Sequence, residues 1–217
     1  MRHRPGRCRA FIAWSDPMPA KETAGSPFPK DLDLSAVPPE ALRDLVLSSL
    51  ELDVSSGVLR LLGHRYGFFR PIVLVNIQKQ LEQTVGASTK GFLYLAGEKT
   101  AEGGLGMTGE VLAGFDSGSM TIDSFKRLAD ALAILGCGRF SLDVSDIPAG
   151  HFTFNLENSP IAEAYGPSKK PVCHLLAGFL GGVAERFVGR EILCEEVACQ
   201  AQGQPRCRFE LRPTPRL

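Results

Sequence analysis

The chain has 217 residues, 24 basic and 24 acidic side chains, and an apolar fraction of 44%. That length and balance suit one substantial domain, or two small ones, with a sizeable core. Zero net charge without a long run of one sign argues against a polyanion-binding surface beyond a local patch, so no direct nucleic-acid partner is expected. No stretch reaches the roughly 18 uninterrupted apolar residues of a membrane span.

Residues 1–38 are rich in Arg, Pro, Ser and Lys and show no usable periodicity, which reads as a mobile tail. The leader "MRHRPGRCRAFIAW" is basic, but its apolar part is too short for a secretory signal. Met18 offers an alternative start to Met1, which would remove Cys8 and the only tryptophan, Trp14. Order begins at "PPEALRDLVLSSLELD", where Leu42, Leu45, Val46 and Leu50 recur at helical spacing after two prolines. "GVLRLLGHRYGFFRP" reads as two short strands around a turn near Gly63 and His64. "PIVLVNIQKQLEQTVG" fits a helix opened by Pro71 and closed by Gly86, and "KGFLYLAGEKTAEGGLGM" a helix or strand running into a glycine-rich loop.

"TIDSFKRLADALAILGCG" has Thr121 or Asp123 as cap, Phe125, Leu128, Leu132 and Leu135 on one face, and Gly136 as stop. The period then changes to two. Phe140, Leu142 and Val144 alternate with polar residues, as do Phe152, Phe154 and Leu156, so two strands with one buried face each are predicted, joined through Pro148 and Gly150. After the polar loop "YGPSKK", "PVCHLLAGFLGGVAERFVG" reads as a helix opening at Pro171, and the segment 190–212 as a hairpin turning at "AQGQP". The order of elements predicts an α+β fold, a single domain over 39–213 in which an antiparallel sheet is packed with helices.

Six cysteines without an export signal point to a reducing, cytoplasmic setting, where clustered thiols bind metal or serve redox chemistry more often than they form staples. Cys199 and Cys207 each lie four residues from Gly203, which puts them opposite one another across the hairpin, with Cβ atoms about 5 Å apart. That spacing suits a disulfide or two thiolates on a tetrahedral metal. Cys173 falls in the first turn after Pro171, where the helix N-terminus would lower its pKa. A fourth ligand would come from Cys194, Glu195 or Glu196. In an uninterrupted strand neither Cys194 nor Glu196 shares a face with Cys199, so a bulge or strand end is required.

The stretch "PVCHLLAGFLGGVAERFVGREILCEEVACQAQGQPRC" resembles the signature of the 4-vinyl reductase domain family, relatives of which include the N-terminal effector domains of bacterial activators that respond to phenols and xylenes. The shared pattern is a cysteine opening a helix, glycines within it, "GRE", then E-x-x-C and C-x7-C. "LENSPIAEAYG" resembles the family's Asn-Ser segment, and the stretch from "GHRYGFF" through "LAGEKTAEGG" more loosely resembles the family's earlier helix and Gly-containing stretch.

The resemblance implies a small-molecule-binding module, usually dimeric, with a structural Zn2+ pinning the C-terminal hairpin through Cys173, Glu196, Cys199 and Cys207. Cys194 is the competing fourth ligand. Four protein ligands leave no open position for substrate, the mark of a structural zinc. Leu156 stands where the phenol-responsive relatives carry tryptophan, which implies a larger and more apolar ligand in a pocket under the C-terminal helix. Cys137 and Cys8 have no partner in the pattern.

The leading function is thus a small-molecule binding or sensing module for a hydrophobic or aromatic ligand, acting through a homodimer or another protein partner. Two alternatives stand beside it. One is a tetrapyrrole-handling protein of bacteriochlorophyll synthesis, a carrier or a vinyl reductase acting on a chlorin intermediate. The other is a protein-interaction subunit. No nucleophile–base pair or dinucleotide fingerprint is present, and GEKTAEGGLG lacks the Gly-Lys-Ser/Thr ending of a P-loop. His64, His151 and His174 read as strand-end or pocket-wall residues. Gly178, Gly181 and Gly182 leave room for a ligand or a partner helix, or, as the favoured reading, for close packing of the helix on the sheet.

Overall fold

The computed structural model describes residues 38–61, 64–102, 122–146 and 150–214; the tail, with Cys8, Trp14 and Met18, and the cap candidate Thr121 lie outside them. Helix α1 (Pro39–Ser48) leads into a three-stranded antiparallel sheet of β1 (Leu50–Asp53), β2 (Val58–Leu61) and β3 (His64–Tyr66). Strand β1 was not foreseen, because "LELD" is too short to show a period against the helix before it. Helix α2 (Pro71–Val85) opens at its proline and closes on Gly86, whose φ of 60° favours glycine. A 3-10 turn then delivers α3 (Thr89–Glu102), followed by α4 (Ile122–Ile134).

The second sheet holds β4 (Arg139–Asp146), β5 (His151–Glu157), β6 (Ile192–Ala198) and β7 (Cys207–Pro213), antiparallel throughout in the order β4-β5-β7-β6. The architecture is the predicted α+β one, with two antiparallel sheets rather than one. Phe140, Phe152, Phe154, Leu156, Phe209 and Leu211 fill one face of the larger sheet and are buried. Between β5 and β6 the chain forms a short helix α5 (Pro160–Tyr165), capped by Ser159, and then α6 (His174–Val188). Helix α6 lies on the sheet and α3 lies on α6.

The glycines of α6 explain that layering. A Cβ on Gly178 would run into the Tyr94 backbone, and one on Gly182 would meet Ala101 Cβ at 2.8 Å, while Gly97 of α3 faces Leu175 and Phe179 in the same way. Gly178 and Gly182 therefore admit a helix, α3, while a Cβ on Gly181 would meet Tyr94 Oη of α3 at 2.6 Å and, on the sheet, Cys194 Cβ at 3.4 Å. The favoured expectation, helix-on-sheet packing for all three, gives way to the partner-helix alternative at Gly178 and Gly182. The aromatic stock also divides: Phe152 and Phe154 stack edge-on at 5.7 Å in the core, whereas Phe68 and Phe69 are 84% and 78% exposed.

Candidate metal centre and adjoining cavity

Four side chains from three elements meet beneath the β6–β7 turn. The ligand atoms of Cys173, Glu196, Cys199 and Cys207 all lie within 4.8 Å of one another, and all four residues are buried. Cys207 Sγ is 3.9 Å from Cys199 Sγ and 4.0 Å from Cys173 Sγ.

Each residue arrives for a local reason. Ile192, Cys194 and Glu196 alternate inward along β6, so strict alternation would bring Ala198 inward next and turn Cys199 away. The pairing with β7 slips between Glu196 and Ala198, and this bulge turns Cys199 to the same side as Glu196. The parity objection is thereby met. Cys207 opens β7, and the intervening chain turns through a 3-10 segment that ends on Gly203 with φ 82°. Cys173 is the residue before α6, which starts at His174, three residues later than Pro171 suggested.

The surroundings hold the four in place. The Cys173 N–H donates to Glu196 Oε2 at 2.8 Å, and the Gln200 N–H points at Cys207 Sγ at 3.3 Å. Buried Ser159 has its hydroxyl 3.4 Å from Cys173 Sγ and also accepts from the Ala162 N–H. Its own N–H donates to Gln200 Oε1 at 2.8 Å, tying the Asn-Ser segment to the hairpin turn. Gln200 was not singled out from the sequence, since its partner Ser159 is 41 residues away.

Thiol–thiol edges of 3.9 and 4.0 Å belong to a tetrahedron whose centre is about 2.4 Å from each corner, close to the ~2.3 Å of a zinc–thiolate bond. Glu196 Oε1 is buried and has no hydrogen-bond partner among the described residues. An unanswered carboxylate oxygen beside three thiols is what a cation would satisfy. The residues fit a metal ion.

Without one, charge is costly here. Burial, followed by its contact with Cys199, pushes Glu196 up to about 8. Hydrogen bonds with the neighbouring thiols and burial raise Cys173, against the lowering expected from its helix end, while thiol donors stabilise the thiolate of Cys199. One negative charge is held by the group and a second is resisted.

Cys194 lies outside the cluster: its backbone N–H donates to Tyr94 Oη at 3.1 Å. Cys137 is half-buried beside the end of α4, with its thiol pushed up by burial.

A cavity of about 630 Å³ adjoins the cluster, with Glu196 in its wall. It lies between the start of α3, the loop 166–172 and the first turn of α6. Thr89, Lys90 and Tyr94 line one side, Lys169, Lys170 and Val172 another, with His174, Ala177 and Cys194 between them. The expected pocket was apolar and lined near Leu156. Leu156 is instead fully buried in the sheet core, paired with Phe140 and Cys207, and the cavity wall is mixed in polarity.

Glu82 and Tyr165 close the far end, Tyr165 Oη donating to Glu82 Oε2 at 2.7 Å. Gln78 of α2 donates to Glu82 and to the Val172 carbonyl at 3.0 and 3.1 Å, so α2 is clamped to the chain entering Cys173. Its place on the α2 face that carries Val75 was the one sequence signal for that role. His174 is half-buried, and burial and Lys90 lower its pKa.

Fold and site together define an α+β domain carrying a buried three-thiol, one-carboxyl cluster beside a cavity. Residues 152–213 match the model of the V4R domain. Over 78 residues the sequence is 36% identical to the bacteriochlorophyll synthase 23 kDa chain of Cereibacter sphaeroides, a match covering 36% of this chain and 35% of that one. The chain thus spans about a third of that relative's length.

In structure, it is similar to the phenol-responsive sensory domain of the transcription activator PoxR, with a TM-score of 0.62 at 22% identity over 79% of this chain and 88% of that one. That likeness is one of fold. A vinyl-4-reductase family protein from Methanocaldococcus jannaschii matches with a TM-score of 0.46 at 18% identity, covering 69% and 84% of the two chains.

Proposed function

We propose that the chain is a small-molecule binding or sensing module in which a structural zinc, held by Cys173, Glu196, Cys199 and Cys207, fixes one wall of the ligand cavity. The observation that carries this is the sharing of Glu196, which belongs both to the cluster and to the cavity wall. Bound there, zinc would supply cross-linking of α6 to the hairpin, and four protein donors leave no position for substrate. The chain's own residues do the rest. The Cys173 amide orients Glu196, Gln78 clamps α2 to the chain entering Cys173, and Tyr94 and Ala177 offer apolar surface.

A small-molecule ligand is supported by the cavity's size, within the range of about 300–1,000 Å³ usual for such sites, and a hydrophobic or aromatic body by Tyr94, Val172 and Ala177 in its wall. Output through a homodimer or another protein is supported by exposed apolar side chains on and beside α2 and α3, among them Phe68, Phe69, Ile77, Phe92 and Leu95. Among the described residues no helix is long and apolar enough to cross a membrane. A cytoplasmic setting is supported by the thiols, which must stay reduced to bind metal. The test is thermal unfolding against a library of hydrophobic and aromatic compounds. One or more should raise Tm, and a library that leaves Tm unmoved defeats the reading.

The match to the bacteriochlorophyll synthase 23 kDa chain favours a second reading, a protein that holds a tetrapyrrole. Absorbance titration with a porphyrin separates the two: a shifted band with saturable stoichiometry supports tetrapyrrole handling, and an unchanged spectrum removes it.

A further inference from the structure

The cavity mouth has a polarity that a purely hydrophobic ligand leaves unused. Lys90 projects from the first turn of α3, and Lys169 and Lys170 from the facing loop, and all three line the opening. The carboxylates nearby are otherwise engaged. Glu82 accepts from Tyr165 and Gln78, and Glu196 turns to the thiol cluster. Glu195 is 3.8 Å from Lys90, but Arg212 also binds it, at 3.3 Å.

A second, independent feature lies beside Lys90. Thr89 is only 2% exposed and lines the cavity, yet its hydroxyl has no hydrogen-bond partner among the described residues. A buried hydroxyl left unsatisfied is unfavourable, so a partner from the cavity is called for. Deeper in, Ala177 and Cys194 are small and buried and leave room beside Tyr94.

Building on the ligand-cavity reading above, we propose that the occupant carries an anionic group, a carboxylate or sulfonate-like oxyanion, on an apolar body. The oxyanion sits among Lys90, Lys169 and Lys170 and accepts from Thr89, while the body lies against Tyr94 and Ala177. Neutral phenols or hydrocarbons of the same size are the poorer ligands.

The test uses the full chain and two fluorescent dyes of nearly equal shape, anilinonaphthalene sulfonate and uncharged phenylnaphthylamine. At low salt the sulfonate should bind on the order of tenfold more tightly than the amine, about 1.4 kcal/mol. Three exposed cations can supply that preference, and raising salt to about 1 M, where the Debye length is about 3 Å, should erase it. Replacing the lysines together, Lys90→Gln, Lys169→Gln and Lys170→Gln, should also bring the two affinities level. All three side chains are exposed, so that variant keeps the fold. Thr89→Val, which conserves shape, should weaken the sulfonate more than the amine.

Equal affinities in the unaltered chain would overturn the anionic class while leaving a ligand cavity in place. A preference that survives the triple substitution assigns the dye to another surface and overturns it equally. Binding of neither dye removes the cavity reading along with it.

Discussion

Glu196→Gln should change sign between the metal-free and metal-loaded protein. In the metal-free chain, burial and Cys199 raise the Glu196 carboxyl from 4.5 to about 8. A raised carboxyl is fully favourable to folding only while both states keep the proton, below about 4.5. Stability is then lost as pH climbs toward 8, because the unfolded chain ionises freely and the folded one cannot. At about 1.4 kcal/mol per pH interval of that rise, the penalty reaches the order of 5 kcal/mol above pH 8.

Glutamine keeps an oxygen for the Cys173 N–H and carries no charge to bury. Urea unfolding of chelator-treated, reduced protein from pH 5 to 9 should therefore show variant and parent nearly equal at pH 5 and the variant more stable at pH 9, by a few kcal/mol. With zinc restored the order should reverse, since the variant lacks a charged ligand and metal affinity rises with pH as thiols deprotonate. Parallel pH profiles for the two metal-free proteins would refute the reasoning.

Elemental analysis of protein purified without added zinc should find about one metal per chain, lost in Cys173→Ser, Cys199→Ser and Cys207→Ser and retained in Cys194→Ser, as the tetrahedral set requires. Retention in Cys199→Ser with loss in Cys194→Ser would move the site. Gly178→Ala would place a Cβ 2.7 Å from the Tyr94 carbonyl carbon, a backbone group that cannot rotate aside. Overpacking of this kind costs about 1–3 kcal/mol or more, against a helix-propensity gain near 1, so a net loss in thermal unfolding is expected. Leu156→Ala should cost about 2–5 kcal/mol as a core cavity while leaving affinity for any cavity ligand unchanged, because Leu156 is fully buried away from that wall. A shifted affinity would return Leu156 to the ligand site.

The local order of the chain was legible because its signals are local. Pro71 and Gly86 bracket α2, the period-two runs mark β4 and β5, and Gly203 centres the hairpin that opposes Cys199 to Cys207. The four cluster residues were also named in advance, but the choice of Glu196 rested on family resemblance, since counting along β6 put it on the wrong face. Only the pairing of β6 with β7 could supply the bulge that turns Cys199 inward, because a bulge is a property of two strands and leaves no mark in one.

The cavity is tertiary in the same sense. Thr89, Lys170 and Cys194 are brought together by α3 settling on α6, and that close crossing depends on Gly97 meeting Leu175 and Gly178 meeting Tyr94, contacts between residues about 80 positions apart. Sequence periodicity reports which face of an element seeks burial. Which element covers it, and what space is left between them, is decided by volume and backbone approach in the folded chain.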